Sequence, residues 1–202
     1  MEKLIIASNN KGKIAEIKSL LKGKFEIISM AEAGINIKII ENGKTFYDNA
    51  LIKAKAVSAA ANAPALADDS GLCVYALNNA PGVYSARYAG ENATDNDNNL
   101  KLLKEMKNIK DRRAEFVCCA VIYYPQCSQH PSGKILSAEG RIKGKILHDF
   151  KGSGGFGYDS LFYCYKLKKS FGEAGEEEKN RISHRFQAVS QLEKLQITNY
   201  KL

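Results

Sequence analysis

GSGGFGYDS, Gly152 to Ser160, contains G-x-G-x-x-G at Gly152, Gly154 and Gly157. Its reading separates a dinucleotide-binding Rossmann fold from other α/β folds. The fingerprint works only when a strand precedes it and a helix opens on its last glycine, so that a pyrophosphate meets the helix N-terminus. Upstream, GRIKGKILHDFK (140–151) can hold a strand. Downstream, YDSLFYCYKL (158–167) is aromatic-rich, carries no helix start signal and itself reads as a strand. The Rossmann reading therefore fails on context. What remains is a loop with four glycines in six residues, Phe156 at its tip and Tyr158–Asp159 behind it.

The surrounding composition is that of a globular chain. Its 202 residues are 45% hydrophobic and 26% charged, enough to bury a sizeable core. MEKLIIASNN (1–10) has too short an apolar run for a signal peptide, and no run reaches membrane-spanning length. Five cysteines (Cys73, Cys118, Cys119, Cys127, Cys164) form no CxxC pair, which predicts reduced thiols in the cytoplasm. With three histidines and no Cys/His cluster, a zinc-type site is not expected. The net charge of +8 lies in residues 101–202, which hold 19 basic and 11 acidic residues against 11 and 11 in residues 1–100. The basic residues are scattered rather than run together. That argues against a nucleic-acid surface and fits a small polyanionic substrate as well as an ordinary solvated surface.

Outward from the glycine loop, the pattern is mixed. KLIIAS (3–8), FEIISM (25–30) and INIKII (35–40) read as strands. A helix with Ile14, Ile17 and Leu21 on one stripe follows SNNKGK. FYDNALIKAKAVSAAANA (46–63) reads as a helix capped by Thr45. PALADDSGLCVYAL (64–77) reads as strand, turn, strand, and residues 78–99 as a long polar loop. NLKLLKEMKN (99–108) is a short helix. RRAEFVCCAVIYYPQ (112–126) is a long strand, with GKILSAEGRIKGKI (133–146) as its antiparallel partner. GEEEKNRISHRFQAVSQLEKLQ (175–196) is a closing helix with Ser183 as its cap. The order predicts one α/β unit with an antiparallel extension.

Several stretches carry chemistry. SNNKGK (8–13) lies between a strand and a helix, where free N–H groups and the helix dipole favour an anion, although it also reads as an ordinary cap with surface lysines. On the helix after Thr45, Phe46, Ala50, Val57 and Ala61 form the apolar stripe and Lys53 falls in its middle, while Lys55 points away. Lys53 either snorkels to water or meets a buried anion. ADDSG (67–71) offers Asp68 and Asp69 on opposite strand faces, so at most one enters a given site as metal ligand or base; an Asp-rich turn is the plain alternative. Glu41 is a second candidate metal ligand. His184 and Arg185 place cations at a helix N-terminus, against its dipole, which points to a further partner such as an anion or a base, although either residue alone reads as a helix start with exposed side chains.

SNNKGK, ENGKTFYDNALIKAKA, ALADDSGLCVYAL, APGVYSARYAG, GGFGYDSLF, EEK and SHRFQA, in this order from residue 3 to about 195, resemble the inosine triphosphate pyrophosphatase family, the RdgB-like non-canonical purine NTP pyrophosphatases. The chain departs from the family pattern at Ser8–Asn9, at Ser160 and at Phe186. The resemblance implies a two-lobed mixed α/β fold around a long mixed β-sheet, one pyrophosphatase domain over 1–202 with its active-site cleft between the lobes. It implies a Mg²⁺-dependent, cytoplasmic homodimer, acting on inosine, deoxyinosine and xanthosine triphosphates and binding neither nucleic acid nor membrane. By the same resemblance, Ser8, Asn9, Asn10, Lys11, Gly12, Lys13 and Lys53 take the triphosphate. Glu41 and Asp69 hold the metal, Asp69 is also the catalytic base, and Ser70 touches the substrate. Phe156, Gly157, Tyr158 and Asp159 form the base pocket, closed by Lys179, His184 and Arg185, and the loop glycines let the backbone approach the purine. Two rivals are a Maf-like nucleotide pyrophosphatase, whose SxxxxR opening this chain lacks, and a non-catalytic nucleotide- or RNA-binding protein.

Overall fold

The computed structural model describes residues 2–126 and 132–199; Cys127 lies outside them. In chain order the elements are β1 (Lys3–Ile6), α1 (Lys11–Leu20), β2 (Glu26–Ser29), α2 (Phe46–Ala61), β3 (Ala65–Val74), α3 (Asp95–Glu105), β4 (Arg113–Tyr124), β5 (Lys134–Ile146), β6 (Phe162–Cys164), β7 (Lys169–Ser170), α4 (Glu176–Asn180) and α5 (His184–Asn199). The seven strands form one mixed sheet in the order β2-β1-β3-β4-β5-β6-β7. β1 runs parallel to β2 and β3, whereas β6 is antiparallel to β5 and β7. An α/β fold with an antiparallel end is thus what the sequence order foretells.

The chain divides into two compact units. The first comprises Met1–Asp69, Cys118–Gly140 and Arg185–Leu202; the second comprises Ser70–Val117 and Arg141–His184. In the first unit β1 is apolar on both faces, as a parallel strand covered on both sides must be. Leu4 and Ile6 join Ile17 of α1, Leu21 at its C-terminal cap, and Ala188, Val189 and Leu192 of α5. Ile5 joins Ala50, Ala54 and Val57 of α2. β3 repeats the alternation: Leu66 belongs to the first cluster, Ala65 and Ala67 to the second. The second unit has its own core, in which Leu72, Val74, Leu102, Phe116, Phe162 and Phe171 meet.

Five readings of the chain need correction. INIKII (35–40) forms no strand; its alternation records that Ile35, Ile37 and Ile39 face the α2 cluster, and period-2 facing does not require a ladder partner. ADDSG is no turn but the middle of the ten-residue β3. Both aspartates are buried there against cations, so tertiary pairing overrides their turn preference. The long polar stretch is largely ordered. Within it Gly82–Arg87 is a 3₁₀ turn and α3 opens at Asp95, capped by Thr94, while Tyr75–Leu77 just before it, expected as the end of a strand, is also a 3₁₀ turn. YDSL (158–161) is a turn, and its strand begins at Phe162. The closing helix is two helices, α4 and α5, with Ser183 immediately before the second. Among the described residues no helix is long and apolar enough to cross a membrane, and Cys73, Cys118, Cys119 and Cys164 are buried and not joined in disulfides.

α2 begins as the sequence demands. The Thr45 hydroxyl accepts from the Asp48 amide at 3.1 Å, and the Asp48 carboxylate accepts from the Thr45 amide at 3.2 Å, a reciprocal cap. Thr45→Ala therefore lowers stability by about 1 kcal/mol. Urea unfolding checks this: a lower midpoint with an unchanged slope is expected, and an unchanged midpoint would mean that the cap contributes nothing.

Candidate active site

The first unit gathers four elements of chemistry around α2 and the middle of β3. Lys53, on the third turn of α2, is only 8% exposed. Its ammonium donates to Glu41 Oε2 at 2.6 Å and lies 3.5 Å from Asp69 Oδ1. The lysine on the apolar stripe is thus neither snorkelling nor isolated: it meets two anions of the protein itself. Asn49, one helical turn before Lys53, connects the same parts a second time. Its Oδ1 accepts from the Gly43 amide at 2.8 Å and its Nδ2 donates to Asp69 Oδ2 at 3.1 Å. The irregular segment carrying Glu41, helix α2 and strand β3 are therefore tied at one point. Asn49 escaped the sequence reading, although its i,i+4 spacing to Lys53 was there to be seen.

The electrostatics follow from burial. Asp69, also 8% exposed, has its pKa raised, first by loss of water, against the pull of the Lys53 and Lys13 ammoniums and the Asn49 hydrogen bond. For Lys53 burial acts to lower the pKa, but Asp69 and Glu41 outweigh it and the net direction is up. The lysine thus stays charged and the aspartate is a stronger base than a solvated one.

Asp68 faces the other side of β3 and a different set of cations. Lys13 of α1 lies 3.0 Å from its Oδ2. Arg185, 1% exposed at the start of α5, donates to the same oxygen from Nε at 3.3 Å and Nη2 at 3.2 Å, and to Glu16 from Nη1. The cation at a helix N-terminus thus has its explanation in two carboxylates. Arg185 belongs to the first unit, whereas the other residues expected around the base lie in the second. Glu16 also escaped the sequence reading; it sits beside Ile17 on the buried face of α1. In SNNKGK, Asn10 caps α1 by accepting from the Lys13 amide at 3.0 Å, and Ser8 Oγ accepts from the Asn10 amide at 3.2 Å. Asn9 and Lys11 are exposed; Ser8, Gly12 and Lys13 are half-buried.

The glycine loop lies in the second unit, and its glycines answer first to the chain itself. A Cβ at Gly152 (φ +75°) would sit 2.1 Å from the Gly172 backbone, and one at Gly155 (φ +76°) 2.0 Å from Asp159 Oδ2. Gly157 (φ +62°) has open space instead. Asp159, buried, accepts from the Phe156 amide at 2.9 Å and from the Lys179 ammonium at 2.7 Å. The Lys179 ammonium in turn stands 4.7 Å from the Phe156 ring centroid. Tyr158 is buried, with its hydroxyl donating to the Ser85 carbonyl at 2.8 Å. His184 is buried and stacks on Phe116 at 4.9 Å and 11°. Ser70 is half-buried in β3, directly after Asp69. The structure thus brings Phe156, Asp159 and Lys179 together in one unit and Glu41, Lys53 and Asp69 together in the other.

A mixed α/β sheet carrying paired carboxylates around a lysine, a capped anion-type loop and an aromatic-glycine loop defines a protein equipped for a phosphorylated ligand. The comparisons agree with that class. The Ham1 family model matches residues 4–195, and the chain belongs to the Ham1 family. It is 46% identical over 201 residues to a dITP/XTP pyrophosphatase of Clostridium perfringens, covering 95% of this chain and 96% of the relative. It is 47% identical over 190 residues to a dITP/XTP pyrophosphatase of Desulfotalea psychrophila, covering 94% and 82%. Among solved structures, the Staphylococcus aureus Ham1 protein superposes with a TM-score of 0.86 at 39% identity, covering 98% of this chain and 100% of that one. A HAM1 protein from Coxiella burnetii superposes with 0.85 at the same identity and coverage.

Removing the shared cation exposes what it holds. Lys53→Met leaves Glu41 and Asp69 without the cation they share, and stability near neutrality falls by roughly 2 kcal/mol, less than for a fully buried pair because Glu41 is partly solvated. In the variant the folded-state pKa of Asp69 is higher still, so its stability is greatest below the unfolded carboxylate pKa and declines as pH rises through the folded value. Denaturant unfolding at mildly acidic and neutral pH should show the deficit growing with pH; a deficit that is absent, or equal at both, would contradict the pairing.

Proposed function

We propose that the protein hydrolyses non-canonical purine nucleoside triphosphates (deoxyinosine, xanthosine and inosine triphosphates) to the monophosphate and pyrophosphate, and so clears them from the nucleotide pool. The observation that carries the reading is the convergence of Glu41 and Asp69 on the Lys53 ammonium. Two hard carboxylates whose oxygens already meet at one cation suit Mg²⁺. That ion usually takes one or two protein carboxylates and completes its shell with phosphate and water. Glu41 and Asp69 would hold the ion, which when bound supplies charge neutralisation on the phosphates.

The chain's own residues do the rest. Lys53, Lys13 and the N-terminal amides of α1, with Ser8, Asn9, Asn10, Lys11 and Gly12, bind the triphosphate. Asp69 takes a proton from water as the water oxygen bonds to the α-phosphorus. The bond from that phosphorus to the α–β bridging oxygen breaks, and the bridging oxygen leaves with pyrophosphate. Positioning supplies much of the acceleration. In the second unit Phe156 offers a face to the purine, Gly157 leaves room for it, and Asp159 and Lys179 fix the loop with His184 and Tyr158 packed behind. A site that hydrogen-bonds a 6-oxo edge rejects a 6-amino purine because polar groups are left unpaired. The cytoplasmic homodimer is likewise an inference, resting on the resemblance.

Asp69→Asn should lower kcat for inosine triphosphate by about a thousandfold while nucleotide binding persists; a dead Asp68→Asn with a normal Asp69→Asn would assign the chemistry to the wrong face of β3. Because burial raises the Asp69 pKa, activity should fall on acidification at a pH above the ordinary aspartate range, as seen in a kcat/KM profile; a limb within that range would contradict Asp69 as base. Pyrophosphate release should favour inosine triphosphate over ATP by at least about a hundredfold in kcat/KM and require Mg²⁺. Comparable rates on ATP would sink the assignment.

A further inference from the structure

We propose that the first turns of α3 form a positioning element for the aromatic-glycine loop, with Asp95 and Asn99 as positioning residues that hold both peptide groups of Gly157. The inference deepens the reading of that loop as the base-binding segment and rests on it. Asp95 and Asn99 are one helical turn apart and so share a face of α3. The Gly157 amide donates to Asp95 Oδ2 at 2.6 Å, and Asn99 Nδ2 donates to the Gly157 carbonyl at 2.8 Å. The two hydrogen bonds thus reach across 62 and 58 residues of sequence to a single glycine.

The geometry makes this a brace rather than an incidental contact. Gly157 has a left-handed φ of +62° and nothing within 4 Å of the place a Cβ would take. No packing from that side holds its backbone, and the contacts that fix it come from α3. The bond to Asp95 is charge-assisted and short. Asn99 is 3% exposed, and its second amide hydrogen is spent on the Asp95 carbonyl at 2.8 Å, so its orientation is fixed. The helix start is itself anchored. Thr94 and Asp97 form a reciprocal cap, and Asn98 accepts from the Ala89 amide at 2.8 Å and donates to the Ala86 carbonyl at 3.1 Å. Next to the braced peptide, Tyr158 is held by the Ser85 carbonyl. Phe156 and Asp159 therefore flank a peptide whose position is set from outside the loop.

The consequence is a separable effect. Loosening Gly157 disturbs where the aromatic side chain and the Asp159–Lys179 pair stand, while the phosphate-handling residues belong to the other unit. Two variants test it: Asn99→Asp, which keeps the shape but sets an acceptor against the Gly157 carbonyl, and Asp95→Ala at an exposed position, which decides the question if the first does not fold. The chain contains no tryptophan, so Phe156→Trp installs a single reporter on the loop. Acrylamide quenching of that indole should rise about twofold when either substitution is added, as for a segment that has lost its fixed contacts. With Phe156 kept, KM for inosine triphosphate should rise about tenfold, the scale of one lost charge-assisted hydrogen bond, with kcat changed by less than about threefold. Inhibition by inorganic pyrophosphate should be unchanged. Unaltered quenching, an unaltered KM, or pyrophosphate inhibition that weakens in step with KM would each overturn the proposal. If the unsubstituted protein does not hydrolyse inosine triphosphate, the functional reading has failed, and quenching alone then decides the brace.

Discussion

The ammonium of Lys53, buried on α2 and shared between Glu41 and Asp69, is the constraint on which the rest of the first unit depends. An unpaired charge at that depth would be costly, and two carboxylates facing each other would be costlier. Each group makes the others tolerable. Asn49 repeats the connection with neutral hydrogen bonds and so fixes the angle at which the Glu41 segment meets β3. The result is a pair of acids held at one buried cation by the fold itself.

On the opposite face of β3, Asp68 serves a different purpose. It collects Lys13 from α1 and Arg185 from α5, and Arg185 also takes Glu16. Two helix starts that carry cations, an arrangement the helix dipole disfavours, are thereby brought to one strand. Adjacent aspartates thus part company by the pleat of the strand alone: Asp68 anchors α1 and α5, and Asp69 faces Lys53 and Asn49 of α2. In the second unit the acid Asp159 and the base Lys179 repeat the theme at smaller scale, locking the Phe156 loop.

Much of this was legible beforehand, and the limits have physical causes. The Thr45 cap, the core face of α2 and the place of Lys53 within it follow from helical periodicity, and the structure has them so. That Asp68 and Asp69 part company follows from strand alternation, yet the strand itself was read as broken by a turn, because the preference of Asp-Asp-Ser-Gly for turns is local and the pairing that overrides it is not. INIKII showed the alternation of a strand, but alternation reports which side faces the core and says nothing of a hydrogen-bonded neighbour. Glu16, Asp95 and Asn99 escape the sequence for a common reason: each acts on a partner distant in sequence, and a polar residue on a helix gives no sign of what it will meet. The glycines of residues 152–157 were read as room for a ligand, whereas Gly152 and Gly155 are demanded by Gly172 and Asp159.

The central claim is that Glu41 and Asp69, and not Asp68, are the acids that a substrate-bound divalent ion would use. Electron paramagnetic resonance of Mn²⁺ in the presence of a non-hydrolysable inosine triphosphate measures this without turnover. The account predicts that the unsubstituted protein and Asp68→Asn take up the ion with the nucleotide, whereas Glu41→Gln and Asp69→Asn bind it at least about tenfold more weakly, the order of one lost carboxylate ligand. Retention of the ion by Asp69→Asn together with its loss in Asp68→Asn would contradict it.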